Sequence, residues 1–488
     1  MVAGKDLLPL SPTKVQHTLI RNLWKNTWAR RALVILAGLL IWFTPVPWGL
    51  QPEAWQLFTF FITAILAVLL DALSIFTASL LAMVLAVLAG VMTTEKAFSG
   101  FSEDFMLLIL SAFLVSKGVV KSGLGKRIAF ILIRRFGHST LNLGYCIVAT
   151  DALLGPAIPS NTARSGVLYP IVLALCLDTG SNPDDGTHKR SGSYLMTVSI
   201  ASLTVSSALW LTAMAANPIA AGMGAQYGVQ MDFVHWLLVS SLPSLLAMVA
   251  LPYVLYRLFP PTAKATPEAP EAAAEALKQM GPLSSKEKIM ALTFVGMVVL
   301  WGLAGLLHVS MAIVAFMGLA VMLLFNIFSI ADLRRESGDA LETFIWFAIM
   351  YVMSSALNEM GFMSTLGKQI AGQMQGLSWP QAYVLLILIY VLIHYLFVSQ
   401  TAQLLALFGV FLEVGVNAQV PVALMAFMLA FATNFFAAMT PQASSANVMF
   451  AGSGYLTQQE MYRNGAIITV ANFVIYMVCS PWVLWMGG

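Results

Sequence analysis

Charge is scarce in this sequence. Asp, Glu, Lys and Arg supply 10% of its 488 residues, where a soluble protein carries about 25%. With 59% hydrophobic residues and a mean hydropathy of +0.82, that scarcity excludes a soluble globular chain and points to an all-α polytopic membrane protein. A net charge of +3 is too small to recruit nucleic acid. Cysteine is scarcer still. Cys146, Cys176 and Cys479 lie in separate apolar runs, so neither a disulfide framework nor a zinc site is expected, and the thiols read as buried and unpaired. Catalytic motifs are missing too: there is no His-Glu-x-x-His. The stretch 118–126 fails as a phosphate loop, because Val120 and Arg127 stand where glycine and Ser/Thr are required. No enzyme activity and no cofactor are expected. No hydrophobic run precedes Ala32. Residues 1–30, with Lys5, Lys14, Arg21, Lys25 and Arg30, read as a polar cytosolic tail rather than a cleaved signal peptide, with room for a short interfacial helix around Val15–Trp28.

What is present is a series of apolar runs. Residues 31–258 hold a first half, 259–288 a polar linker rich in Pro, Ala, Glu and Lys, and 289–488 a second half. Two stretches, 138–178 and 380–418, are interrupted midway, and each arm is too short for the about 20 residues that cross a bilayer as a helix. They read as re-entrant hairpins. Two further helices, within 193–224 and 421–457, are broken near Thr212–Pro218 and at Thr440-Pro441. Counting each broken helix as one span gives about 11 transmembrane helices. Of the 25 Lys and Arg, only Lys96 and Lys368 then fall outside, and only Lys117 and Arg164 at membrane depth. All the rest gather on the side of the tail and linker, which fixes that side as cytoplasmic. The C-terminus then faces out.

The halves repeat. Gly123 finds a counterpart in Gly361, and Ser160-Asn161-Thr162-Ala163 in Ser399-Gln400-Thr401-Ala402, 239 residues on. Thr212 through Pro218 finds one in Thr440 through Ser444, at a contracted spacing. Such an inverted repeat, with broken helices and polar hairpin tips, is how many secondary transporters build a site at the bilayer midplane. Pro156 and Pro159 end the first arm of the first hairpin, and Ser160, Asn161 and Thr162 can cap the second. Irregular backbone at that depth must line a cavity or be buried in protein. A cavity of hydroxyls, amides and helix N-termini suits an anion.

Ser160-Asn161-Thr162 resembles the hairpin-tip motif of the divalent anion:sodium symporter (DASS) family of di- and tricarboxylate transporters, over nearly the whole chain. Ser-Asn-Thr-Ala followed by Arg164, and His394-Tyr395-Leu396-Phe397 before the second tip, resemble the exchanger branch. Ser399-Gln400-Thr401 departs from a second intact Ser-Asn-Thr, so sodium sites are not expected. The resemblance implies a homodimer in a bilayer, a bacterial inner membrane, scaffold and transport domains, elevator-type movement and dicarboxylate substrates.

A dicarboxylate brings two negative charges into a low-dielectric site, and something must balance them. Arg164 is permanently charged, at a cost of about 2.5–3.5 kcal/mol or more at membrane depth. His394 can gain or lose a proton. Together they can take the electrostatic place of sodium, which would make exchange obligatory. Against this stand blander readings: Arg164 paired with Asp151 or reaching for the cytoplasm, His394 as a packing residue, and the Ser-Asn-Thr tip as a buried helix cap. Asn217, Thr212, Thr440 and Pro441 at the helix breaks, with Gln403 and Ser444, complete the candidate substrate-binding set. The competing functions are a sodium-coupled symporter, an intramembrane hydrolase, for which Ser160 lacks a base other than His394, and a channel.

Overall fold

The computed structural model describes residues 26–397 and 399–488. The tail, with its expected interfacial helix, lies almost wholly outside them. The described residues form helices joined by short turns, with no strand beyond one isolated bridge, Ser139 to Ala265. Seven helices among them are long and apolar enough to cross a membrane, and Gln458–Val478 with Ser480–Gly487 adds a pair bent by 53°. The remaining apolar helices, Ile75–Leu88, Met311–Leu324 and Val422–Ala438, are shorter.

Burial sorts these helices into interior and periphery. Gly192–Leu209 is 94% buried and runs through the centre, whereas Ser285–Leu307 is 22% buried. The latter shows Leu292, Val295, Val299, Leu303 and Leu306 on its exposed side. That three-and-four spacing is one helical stripe, facing lipid. The interior helix carries Ser199, Ser202, Ser206 and Ser207 instead, because its surroundings are protein that can satisfy their hydroxyls.

Two boundaries differ from the sequence expectation. The first described helix, Thr27–Phe43, starts before Ala32, the expected beginning of the first apolar run. Asn26 starts it early by accepting from the Trp28 amide, and Pro45 and Pro47 prevent continuation. The linker, expected to be polar and given no helix from the sequence, folds over Glu268–Met280. Its alanine-rich sequence favours a helix, and it buries Ala269, Pro270 and Ala273 against Leu124–Phe136. Arg127 and Glu287, 2.6 Å apart and both buried, fasten the end of this linker. Lys117, expected at membrane depth, pairs at 2.7 Å with the half-exposed Asp339 at the start of Gly338–Glu359.

The repeat is written in the backbone. The first hairpin, Thr140–Leu154 and Asn161–Asp178 with a 3-10 turn at Gly155–Ala157, has a second copy in Trp379–Ile393 and Gln400–Asn417 with a turn at His394–Leu396. Every one of these boundaries recurs at the interval that separates Asn161 from Gln400, 239 residues. Gly123 and Gly361 break their helices with φ of 81° and 75°, a left-handed conformation glycine adopts without penalty.

Candidate functional site

Each hairpin tip presents a helix N-terminus capped by serine. Ser160 accepts a hydrogen bond from the Ala163 amide, and Ser399 accepts from the Ala402 amide. Used this way as acceptors, both hydroxyls keep a proton free to donate. The two tips touch: Asn161 Nδ2 donates to Gln400 Oε1 at 3.3 Å. Gln400 Nε2 in turn donates to the Thr433 carbonyl at 2.7 Å.

Around this contact lies a cavity of about 530 Å³, open at one side. Its wall includes Ser160, Asn161 and Thr162 from the first tip, Ser399, Gln400 and Thr401 from the second, and Ser444. Ser445, Phe113, Met214, Ala215 and Phe347, none of them a candidate from the sequence, also line it. Ser445 shares a hydrogen bond of 2.6 Å with Thr162 and so ties the first tip to the second broken helix. Among the described residues, no carboxylate and no ammonium lines the cavity. Its polar lining consists of hydroxyls and amides, and the N-terminal ends of two 18-residue helices point their partial positive charge at it.

The other candidates stand behind this wall. Arg164 is fully buried; its Nη2 donates to Asn161 Oδ1 at 2.6 Å and to Ser207 Oγ at 2.5 Å. Its Nε lies 3.4 Å from Asp151 Oδ1, the pairing weighed from the sequence. The other Asp151 oxygen accepts from Ser202 and Ser206, one helical turn apart. Gly155 passes beside the guanidinium, and a Cβ there would come within 3.1 Å of Arg164 Nη1. His394 is likewise buried and stacks on Phe436 at 3.8 Å between ring centroids. Its Nδ1 meets Gln403 Oε1 at 2.7 Å and its Nε2 the Ala443 carbonyl at 3.0 Å. The Gln403 amide is oriented by donation from Nε2 to the Tyr390 carbonyl at 2.7 Å. Both histidine nitrogens therefore face acceptors, and a doubly protonated ring makes both bonds at once.

The helix breaks are held by mirrored asparagines. Asn217 donates to the Ser207 and Trp210 carbonyls, and Asn447 to the Ala437 and Thr440 carbonyls. By these bonds Thr440 stands opposite Trp210, two residues from the Thr212 pairing read in the sequence. Thr212 instead binds the Pro156 carbonyl at 3.0 Å, bracing the first tip. Thr440 is buried, its hydroxyl without a partner among the described residues, and Pro441 does not border the cavity. Asn434 Nδ2 reaches Asn217 Oδ1 at 2.8 Å, a further bond between the halves.

Residues 25–487 match the profile of the family described as the sodium:sulfate symporter transmembrane region. Dicarboxylate transporter 1, chloroplastic, of Arabidopsis thaliana is 36% identical over 472 residues, which is 95% of this chain and 84% of that protein. The L-tartrate/succinate antiporter of Escherichia coli (strain K12) is 33% identical over 484 residues, covering 95% of this chain and 98% of the antiporter. Among solved structures, the Alcanivorax borkumensis YdaH transporter superposes with a TM-score of 0.59 at 13% identity, over 84% of this chain and 90% of that one. This last likeness is one of fold alone.

Proposed function

The chain belongs to the sodium:sulfate symporter family, a family of multi-pass membrane transporters, and on that premise we propose that it exchanges dicarboxylates across the membrane. The observation that carries this reading is the Asn161–Gln400 contact at 3.3 Å, which sets two capped tips on one cavity. A small acid with a carboxylate at each end can place one on each tip. There it would meet the free protons of Ser160 and Ser399, the hydroxyls of Thr162 and Thr401, and the helix N-termini. Phe113, Met214 and Phe347 would flank its methylene groups. The relatives named dicarboxylate transporter and tartrate/succinate antiporter support the same substrate class.

The charge balance comes from behind the wall. Arg164 engages Asn161 Oδ1 and Ser207 Oγ, and His394 engages Gln403 Oε1 and the Ala443 carbonyl. Amide, hydroxyl and carbonyl oxygens are the ligands a hard cation takes. With Arg164 in one group and a doubly protonated His394 in the other, they would leave no room for a resident sodium ion. In our reading Arg164 and His394 act in its stead, through the tips rather than by touching substrate. Asp151 offsets Arg164, so a His394 proton balances one of the two substrate charges and the paired helix N-termini, about half a charge each, balance the other. An empty carrier keeping that proton crosses reluctantly and a loaded one readily, which makes exchange obligatory. The repeat would be inverted, the moving part would carry both tips as an elevator within a homodimer in a bacterial inner membrane, and the termini would lie cytoplasmic and external.

Counterflow tests this directly. Proteoliposomes preloaded with unlabelled succinate, malate or 2-oxoglutarate are expected to take up labelled succinate at the same rate with or without sodium, and empty vesicles to take up almost none. Steady sodium-driven uptake into empty vesicles would favour a symporter.

A further inference from the structure

A groove carrying basic side chains lies outside the cavity at the hairpin tips. The linker helix Glu268–Met280 and the helix Leu124–Phe136 enclose a groove of about 970 Å³, open along one side and lined by Arg127, Ile131, Arg134, Leu277, Lys278 and Leu283. The three cations differ. Arg127 is spent on Glu287 and the Gly281 carbonyl. Arg134 is exposed and has no acidic partner within 4 Å among the described residues. Lys278 reaches only Glu275, at 3.9 Å, with both side chains largely exposed. Arg134 thus stands uncompensated at the groove, and Lys278 is held only by one long, exposed pair.

Its level in the membrane follows from its neighbours. The helix Asp104–Ser122 ends just before one wall, and Ser285–Leu307 begins just after the other. Both qualify as spans, and the Arg127–Glu287 pair joins those ends. The groove therefore sits where spans leave the hydrocarbon. Its rim carries apolar side chains that protein leaves uncovered: Ile131 is 45% exposed and Leu283 41%. Cations above an exposed apolar rim at span ends match an amphiphile with an anionic head and hydrocarbon below. We propose that this groove binds the headgroup of an anionic phospholipid, with Arg134 and Lys278 on its phosphate and Ile131 and Leu283 against its glycerol and upper acyl carbons. Binding there would brace the linker helix against Leu124–Phe136.

Detergent-purified protein, incubated with labelled phosphatidylglycerol or phosphatidylcholine and washed, is expected to retain phosphatidylglycerol selectively. The Arg134→Gln/Lys278→Gln variant should fold normally, because both side chains are exposed, and lose retention about tenfold or more. Lys126→Gln, an exposed charge on the same helix outside the groove, should leave retention unchanged. Equal loss in Lys126→Gln would mean diffuse surface attraction and overturn the site. Displacement of the lipid by millimolar inorganic phosphate or glycerol phosphate would mean a free-anion site and overturn the lipid assignment. No preference for phosphatidylglycerol over phosphatidylcholine would overturn both.

Discussion

Replacing Arg164 by glutamine is expected to abolish exchange and to destabilise the protein together, for separable reasons. The stability loss comes from Asp151, fully buried and left without its guanidinium partner. Breaking a buried pair from one side costs about 3–5 kcal/mol. The transport loss comes from the tip. A hydrogen bond from a charged donor contributes about 1.5–3 kcal/mol, and Asn161 receives one from Arg164 Nη2 at 2.6 Å. Without it the first tip loses both its charge and its orientation, and affinity for succinate should fall roughly tenfold to a hundredfold. The double variant Asp151→Asn/Arg164→Gln separates the two effects. Thermal unfolding in detergent should return most of the lost stability, since no lone charge remains, while counterflow should stay lost. Recovery of counterflow along with stability would reduce Arg164 to a structural partner of Asp151.

His394 is the second large effect. Replacing it by serine removes the ring stacked on Phe436 and leaves Gln403 Oε1 and the Ala443 carbonyl without their donor. Each buried group without a partner costs about 1–3 kcal/mol. The vacated oxygens, with the new hydroxyl, become available to a small cation. The His394→Ser variant is expected to lose exchange in choline salts, by about tenfold or more if one charged contact is lost, and to recover part of it when sodium is added. A variant indifferent to sodium and as active as the parent would assign His394 to packing.

The hairpins were legible because their signals are local. Pro156 and Pro159 interrupt an apolar run, Ser160 follows at a capping position, and the same grammar returns at Ser399. The charged partner Asp151 was also visible, one helical arm before Arg164. What escaped was whatever depends on which face of an apolar helix turns inward. Phe113 and Phe347 sit within long apolar runs where a cavity-facing aromatic reads the same as a lipid-facing one. Ser445 was missed beside Ser444, although the pair of serines after a helix break was available to be read. Ser202 and Ser206 belong, with Ser199, to a polar stripe at helical spacing that the sequence carries openly. The linker helix escaped for the opposite reason. Its buried face is built from small residues, Ala269, Pro270 and Ala273, which read as linker composition until they dock on Leu124–Phe136.

The register of the broken helices was displaced by two residues because Thr212 and Thr440 look alike. Their hydrogen bonds do not. Thr212 braces the first tip through Pro156, whereas the Thr440 carbonyl accepts from Asn447 as the Trp210 carbonyl does from Asn217. Backbone acceptors, and not the residues' own chemistry, define the correspondence.

Everything rests on one substrate being held by both tips at once. The three natural cysteines are buried, which leaves a quiet background for Thr162→Cys and Thr401→Cys, each made alone at the cavity wall. Modification of each by a small water-soluble thiol reagent can be followed against succinate concentration. The account predicts that succinate protects both cysteines with the same half-protecting concentration, equal to that for counterflow. Protection of one tip alone, or of the two at widely different concentrations, would contradict it.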